Sequence, residues 1–141
     1  MFQDLLLTFS TAQALTATAD ATNVIDLLAA GQLGNGRPLS LFVNVDVAIG
    51  GTSPTFAVAI TTDDNASLTS DTTIATKTIA AADLLINTLH SVDLPENIAT
   101  ERYLGVVYTL GGTSPTITVT SWLGLKGSIP NLYKGANGYE A

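Results

Sequence analysis

The fold is decided by one stretch of the sequence, LSLFVNVDVAIGGTSPTFAVAI, which spans residues 39–60. Apolar residues occupy every second position on both sides of a Gly-Gly-Thr-Ser-Pro-Thr segment at residues 50–55. A period of two is typical of half-buried β-strands, because successive side chains on a strand point to opposite faces. Glycine and proline supply turn geometry, so the stretch predicts a β-hairpin with a short loop.

The same hexapeptide returns 61 positions later, at residues 111–116. It is again flanked by alternating apolar residues, which are Leu104, Val106, Tyr108 and Leu110 before it and Ile117 and Val119 after it. The second copy therefore also predicts a hairpin. Two interpretations stay open: shared turn chemistry in two unrelated hairpins, or two pseudo-equivalent hairpins in one sandwich.

Weaker strand patterns cover residues 12–18, 22–27, 72–80 and 86–94, whereas residues 80–85 look briefly helical. The loops between them are rich in Gly, Asp, Asn and Pro, and the abundant Thr suits pleated surfaces. The pattern predicts an all-β domain, an eight-stranded antiparallel β-sandwich with a jelly roll as the leading candidate. We assign residues 1–126 to this domain, with an N-terminal arm, and the Gly-rich residues 127–141 to an extended C-terminal tail.

The composition narrows the classes of function. The 141 residues are 46% hydrophobic and 12% charged, which predicts one folded domain rather than a disordered chain. With 5 basic and 12 acidic residues the net charge is −7, the opposite of what a protein that binds phosphate backbones needs. No nucleic-acid partner is expected.

No membrane partner is expected either. Residues 103–125 are uncharged and long enough to cross a bilayer. The Gly-Gly-Thr-Ser-Pro segment breaks this stretch in the middle, and its flanks alternate apolar residues with Thr, so strands explain it better. The start of the chain has no basic region of the kind that opens an export signal, which predicts a soluble protein.

Catalytic patterns are weak. The chain has one histidine, His90, and no cysteine, which removes thiol chemistry and the multi-histidine metal site of a cupin-like enzyme. A general base would need a nucleophile and an orienting acid, and the neighbouring Ser91 should point to the opposite face of its strand. We therefore expect His90 to be partly buried and hydrogen-bonded, in a protein that is not an enzyme and needs no cofactor.

A calcium site is the other chemical candidate. Asp63, Asp64 and Asn65, with Asp71 a few residues on, offer oxygen ligands for Ca²⁺. The spacing and the closing Glu of an EF-hand loop are missing. A solvated connection between two strands is the favoured interpretation, so no metal is expected.

Several segments carry a family resemblance by their order and spacing. They are DLLLTFS at residues 4–10, AQALT at 12–16, TNVIDL at 22–27, GNGRPL at 34–39, and RYL at 102–104 followed by Tyr108-Thr109 and Gly111-Gly112. In these segments the chain resembles the Bbp16-type capsid cement (decoration) proteins of tailed bacteriophages. The resemblance implies a jelly-roll homodimer that sits on the outer surface of the virion, binds the major capsid protein and ties neighbouring capsomers together. An acidic chain suits that side of the shell better than the DNA-facing side.

The residues expected to make shell or dimer contacts fall into two sets. The first set is apolar and lies in segments that cannot bury such side chains locally; it comprises Phe2, Leu5, Leu132, Tyr133 and Tyr139. The second set comprises Arg37 and Arg102, each of which should sit at a strand start and pair with a nearby acid, or else contact a partner. The alternative function is a carbohydrate- or receptor-binding β-sandwich module of a phage particle, which the aromatic content of 6% disfavours.

Overall fold

The computed structural model describes residues 7–33, 38–96 and 98–125. Its regular structure is one turn of 3-10 helix at Ala81–Asp83 and the strands β1 (Thr8–Leu15), β2 (Ala19–Asp20), β3 (Ile25–Asp26), β4 (Gly31–Leu33), β5 (Leu39–Asp63), β6 (Thr72–Ile79), β7 (Leu89–Asp93), β8 (Ile98–Thr100) and β9 (Tyr103–Leu125). All strand pairs among these are antiparallel. The predicted all-β, antiparallel class is confirmed. Within the described ranges, no helix has the length and apolar character needed to cross a bilayer.

Two long strands, β5 and β9, form the spine of the protein. They pair from Leu39 opposite Leu125 to Asp63 opposite Tyr103. Both copies of the hexapeptide lie inside these strands, and the chain runs through each copy without reversing. The two predicted hairpins are therefore wrong: the glycines and serines form bulges within continuous strands rather than turns between strands.

The two copies pair with each other around a local two-fold axis. Gly50 lies opposite Thr116, and the equivalent Gly111 lies opposite Thr55. The register shifts several times across this segment, as bulges require. The copies are pseudo-equivalent, as one of the two interpretations held. They are not two separate hairpins, however, but two strand segments that pair with each other. We call this paired region, residues 50–55 and 111–116, the spine crossing.

The backbone of the spine crossing repeats closely between its two copies. Gly51 and Gly112 have φ values of +107° and +106°, and Ser53 and Ser114 have φ values of +48° and +49°. Values near +106° belong to a region that side chains other than glycine rarely enter. Each copy therefore needs its second glycine for conformational reasons.

The spine crossing also changes which positions face inward. Positions in the main core are odd-numbered before the spine crossing and even-numbered after it in β5, and the reverse holds in β9. They are Leu41, Val43 and Val45, then Phe56, Val58 and Ile60 in β5, with Leu104, Val106, Tyr108 and Leu110, then Ile117, Val119 and Leu123 in β9. Because an offset of one residue moves every side chain to the other face, the bulges let both ends of each strand contribute to one core.

The spine crossing divides the sheet into two halves with four strand positions each. One half has the order β1, end of β9, start of β5, β7; the other has β2 and β3 at one edge, then the start of β9, the end of β5, and β6. The halves share one hydrophobic core. The Tyr108 hydroxyl in one half is hydrogen-bonded to Ser10 and Ser121 in the other. The two halves thus face each other, and the predicted antiparallel β-sandwich is confirmed. The described residues form nine strands rather than eight, with β4 and β8 in a small sheet of their own; the jelly-roll connectivity stays a prediction.

The weaker strand predictions hold in part. Strand β6 matches residues 72–80, but residues 22–27 contribute only the two-residue β3. Strand β7 begins at Leu89 rather than residue 86, because a β-turn precedes it: Thr88 N–H bonds the Leu85 carbonyl, and Asn87 has φ +63°. The predicted helical stretch at residues 80–85 is reduced to the single 3-10 turn.

Candidate functional site

Most of the predicted contact residues lie outside the described residues. They are Phe2, Leu5, Arg37, Leu132, Tyr133 and Tyr139, and the predicted tail at residues 127–141 lies outside as well. Arg102 is described. It immediately precedes β9, at a strand start as expected.

Arg102 forms a bidentate ion pair with Asp26, the last residue of β3. Its Nε donates to Oδ1 at 2.9 Å and its Nη2 donates to Oδ2 at 2.8 Å. The guanidinium carbon lies 5.0 Å from the centre of the Tyr103 ring, within the range of a cation–π contact. The bond from Arg102, helped by the Leu28 N–H, lowers the pKa of Asp26 to about 2. The predicted pairing with a nearby acid is confirmed, whereas a partner contact stays a prediction.

His90 is a hydrogen-bonded residue of β7. Its Nε2 lies 3.1 Å from Thr88 Oγ1 and 3.1 Å from the Asp83 carbonyl oxygen. Burial of the ring is the main cause that lowers the pKa of His90, and the positive charge of Lys77 adds to it. His90 is thus partly buried and hydrogen-bonded to the backbone and to a neighbouring side chain, as the sequence predicted.

A group of three carboxylates marks the end of the spine. Oxygens of Asp63, Asp64 and Glu101 lie within 4.8 Å of one another. The sequence predicted Asp71 as the third carboxylate beside Asp63 and Asp64, whereas in the structure the third carboxylate is that of Glu101. Asp63 is buried, and the other two are exposed.

The Asp63 carboxylate has structural partners. Its Oδ1 accepts from the Asn65 N–H at 3.2 Å, and its Oδ2 accepts from the Ser70 N–H at 2.9 Å. The Ser70 bond is the largest cause that lowers the pKa of Asp63. These bonds hold residues 64–70 against the end of β5, which agrees with the favoured interpretation as a connection between strands.

The outer face of one half carries an aromatic pair. Phe42 and Trp122 lie opposite each other in the β5–β9 register, with ring centres 5.9 Å apart. They form a small cluster apart from the main core, with Leu89 packed against it. Trp122 is the single tryptophan of the chain, and it is 1% exposed. It therefore presents no open platform for a sugar ring.

An exposed apolar surface involves β5 and the segment that precedes β7. It consists of Val47, Leu85 and Ile86, whose exposed fractions are 55%, 58% and 60%. We call these three residues the turn patch. Backbone hydrogen bonds on either side of these residues join β5 to the segment before β7. The Ile49 N–H donates to the Leu84 carbonyl, and the Asn87 N–H donates to the Val45 carbonyl.

A groove of about 480 Å³ opens beside the turn patch, between β6 and β7. It is lined by Lys77, Thr78, Ile79, Ala80, Asp83, Thr88, Leu89 and His90. Sequence analysis missed the turn patch and this groove. The one available signal was the run Leu84-Leu85-Ile86, which alone predicts burial rather than exposure.

Comparison with known proteins gives one family. A family model described as Bbp16 matches residues 9–121, which include the spine crossing, β2 to β8 and most of β1 and β9. No curated protein matches the chain. The match extends over the two halves of the sandwich and excludes both ends of the chain.

Proposed function

Because the chain belongs to the Bbp16 family of phage proteins, we propose that it is a capsid cement protein. In this role it binds the outer surface of the major capsid shell as a homodimer and stabilises the contacts between capsomers. The family match over residues 9–121 is the observation that carries the proposal. It identifies a phage-associated protein, and the cement role is the finer step that we add.

The charge distribution supports the outer position. The net charge is −7, and the described residues include two strong cations, Lys77 and Arg102. Arg102 is engaged by Asp26, and the Lys77 ammonium donates to the Ser91 carbonyl at 3.0 Å. Packed DNA would repel such a surface, so we propose a protein partner and no nucleic-acid partner.

The architecture supports a mechanical role. The long strands β5 and β9 run through both halves of the sandwich. The halves are therefore joined by the continuous backbone of two strands as well as by a shared core. A clamp between capsomers must keep its shape under load, and it needs neither a catalytic group nor a cofactor. The arrangements at His90 and Arg102 fit that role, since both side chains bond within the protein.

Reconstitution tests the proposal directly. The purified protein is mixed with expanded, undecorated shells of the phage that encodes it, the shells are pelleted, and thermal release of the genome is followed. Saturable co-sedimentation with a raised release temperature is expected. An unrelated protein of similar size and charge is the control, and absence of saturable binding by the wild-type chain would contradict the cement role.

Two further measurements separate the parts of the proposal. Sedimentation equilibrium should give a dimer, and a monomer at all concentrations would contradict the homodimer. A chain that ends at residue 126 should stay folded and lose shell binding; unchanged occupancy would remove the proposed role of the tail. A glycan array tests the carbohydrate-binding alternative, for which we expect no specific signal.

A further inference from the structure

We propose that the N-terminal arm of this chain, residues 1–6, packs over the Phe42–Trp122 pair on the outer face of the sandwich. The inference goes beyond the proposed function, because it concerns the isolated chain and does not depend on a shell. It gives Phe2 and Leu5 a role within the fold, in place of the shell or dimer contacts that the sequence predicts.

The pair is buried on a side of the sheet that the main core does not cover. The neighbouring residues Leu41, Val43 and Leu123 point into the main core. Phe42 and Trp122 occupy the intervening positions, so they point to the opposite face. An outer face normally meets water, yet Phe42 is 0% exposed and Trp122 is 1% exposed. Other parts of the protein must therefore lie over both rings.

The described residues supply only part of this cover. A phenylalanine and a tryptophan bury roughly 150–250 Å² each, and the sheet shields one side of each ring. Among the described residues, Leu89 is the one apolar residue outside the pair that packs against it, and Leu89 is itself half-buried. Both rings are buried within a single chain, so the remaining cover belongs to this chain rather than to a partner.

The composition of the other segments narrows the choice to the two ends of the chain. Residues 34–37 are Gly-Asn-Gly-Arg and residue 97 is an asparagine, so neither brings an apolar side chain. The indole Nε1 of Trp122 is buried and has no hydrogen-bond partner in the described part of the chain, which favours an apolar cover. The arm, Met-Phe-Gln-Asp-Leu-Leu, is mostly apolar, whereas the tail begins with Lys-Gly-Ser at residues 126–128.

The strand register selects the arm. Thr8, the first residue of β1, lies directly opposite Trp122, and the Cα atoms of such an antiparallel pair are about 5 Å apart. Two residues of chain span at most about 7 Å, so Leu6 is within reach of the indole ring. Because the pair is antiparallel, the chain before Thr8 runs towards Gly124. The Phe42 ring rests against that glycine, where a Cβ atom would lie 3.0 Å from Phe42 Cε2, so the arm meets both rings as it leaves β1.

The arm also loses less conformational entropy on packing than the tail would. Leu7 joins the arm to β1 and already packs against the main core, so the arm starts from a fixed point. It contains no glycine, whereas the tail contains Gly127, Gly135 and Gly138. Glycine loses more conformational freedom on ordering than any other residue.

The experiment uses Trp122 as a fluorescent probe in the full chain. It is the single tryptophan, and the chain has no cysteine. One engineered cysteine can therefore carry a nitroxide, which quenches indole emission only at close range. The label is placed in the arm with Gln3→Cys and, as the matched control, in the tail with Asn137→Cys. The unlabelled form of each protein gives the unquenched intensity, and circular dichroism melts confirm that each is folded.

A second pair of full-length variants removes apolar side chains. The arm variant is Leu5→Ser with Leu6→Ser, and the matched tail variant is Leu132→Ser with Tyr133→Ser. The emission wavelength and the quenching of Trp122 by acrylamide are measured for both. Where the arm variant fails to fold, the labelled chains decide.

We expect the nitroxide at residue 3 to remove most of the Trp122 emission and the nitroxide at residue 137 to leave it nearly unchanged. The arm variant should shift the emission to the red and raise the acrylamide quenching constant severalfold, whereas the tail variant should match the wild-type chain. Strong quenching from residue 137 alone, or a response to the tail variant alone, would overturn the inference in favour of the tail. Unchanged emission in both labelled proteins would also overturn it. No shell enters either measurement, so the outcome is separate from that of the cement role.

Discussion

Adding a single methyl group at Gly51 or Gly112 tests the spine crossing most directly. A Cβ atom at Gly51 would lie 2.8 Å from the Ser114 carbonyl oxygen and 2.9 Å from Pro115 Cα. A Cβ atom at Gly112 would lie 2.7 Å from the Ser53 carbonyl oxygen and 2.9 Å from Pro54 Cα. All four contacts are with backbone atoms, so no side-chain rotation relieves them. Alanine at either position must push the two strands apart.

The magnitude follows from two terms. Alanine at a φ near +106° costs about 1–3 kcal/mol, and a forced backbone shift in a packed site costs about 1–3 kcal/mol more. We therefore expect each of Gly51→Ala and Gly112→Ala to lower the free energy of unfolding by about 2–6 kcal/mol, with a central value of about 4 kcal/mol. For a domain of this size, such a loss lowers the melting temperature by roughly 10 °C. The double variant should cost less than the sum, because both substitutions separate the same two segments.

Intrinsic fluorescence gives the assay. Trp122 is the one tryptophan and is 1% exposed, so its emission should shift to the red when the core opens. Urea titrations give the unfolding free energy of each variant. Gly31→Ala is the control, since a Cβ atom there meets nothing within 4 Å, and it should leave the stability almost unchanged. Losses below about 1 kcal/mol at both crossing glycines, or a large loss at one and none at the other, would refute the two-fold crossing.

Three further predictions concern hydrogen bonds. Tyr108→Phe removes the partner of the buried Ser121 hydroxyl, so it should cost about 1–3 kcal/mol in the same urea titration; an unchanged midpoint would contradict the buried network. Asp26→Asn should lower stability at pH 7, because it weakens the pair with Arg102. Since the pKa of Asp26 is depressed from 3.8 to about 2, that stabilisation is present above pH 4 and is lost as the pH falls towards 2, so melts of the two proteins should converge there. Asp63→Ala removes the acceptors of the Asn65 and Ser70 N–H groups and should speed amide exchange in residues 64–70, with Asp71→Ala as the unchanged control.

The alternation of apolar residues was sufficient to predict the arms of the two long strands and β6, because it is local, whereas the short strands β4 and β8 carry no such pattern. Strand β6 and both arms of the spine follow it closely. The spine crossing could not be predicted from local pattern, since Gly-Gly-Thr-Ser-Pro suits a hairpin turn and a bulge equally well. The choice depends on a partner 61 residues away, which here is the second copy of the same segment. The segment forms a bulge rather than a turn because the bulge lets both arms of each strand pack into one core.

The candidate site was harder to predict for a similar reason. Leu84 and Leu85 are identical neighbours in the sequence, yet Leu84 is fully buried and Leu85 is 58% exposed. The turn that follows, with Asn87 at positive φ, decides which of them faces the core. The ion pair of Arg102 was easier to predict, because an arginine at a strand start in an acidic chain readily pairs with a carboxylate, which here is that of Asp26.

The internal repeat fails at one pair of equivalent positions. Residues 61 positions apart match in burial at Val45 and Val106, and again at Val58 and Val119. They differ at Val47 and Tyr108: Val47 is 55% exposed, whereas Tyr108 is fully buried. Core packing alone would favour the same solution at both sites, since the flanking positions obey it. The register of β5 shifts on both sides of Val47, between Val45 and Val47 and again before the crossing.

This departure from symmetry has a structural consequence. Beside this irregular stretch, backbone groups of Val45 and Ile49 bond residues 84–88. The turn with Leu85 and Ile86 is thereby fixed to the spine. In β9 the equivalent position instead sends the Tyr108 hydroxyl into the core, towards Ser10. One arm of the repeat thus completes the core, whereas the other exposes a valine and anchors an apolar turn to the strand that spans both halves of the sandwich.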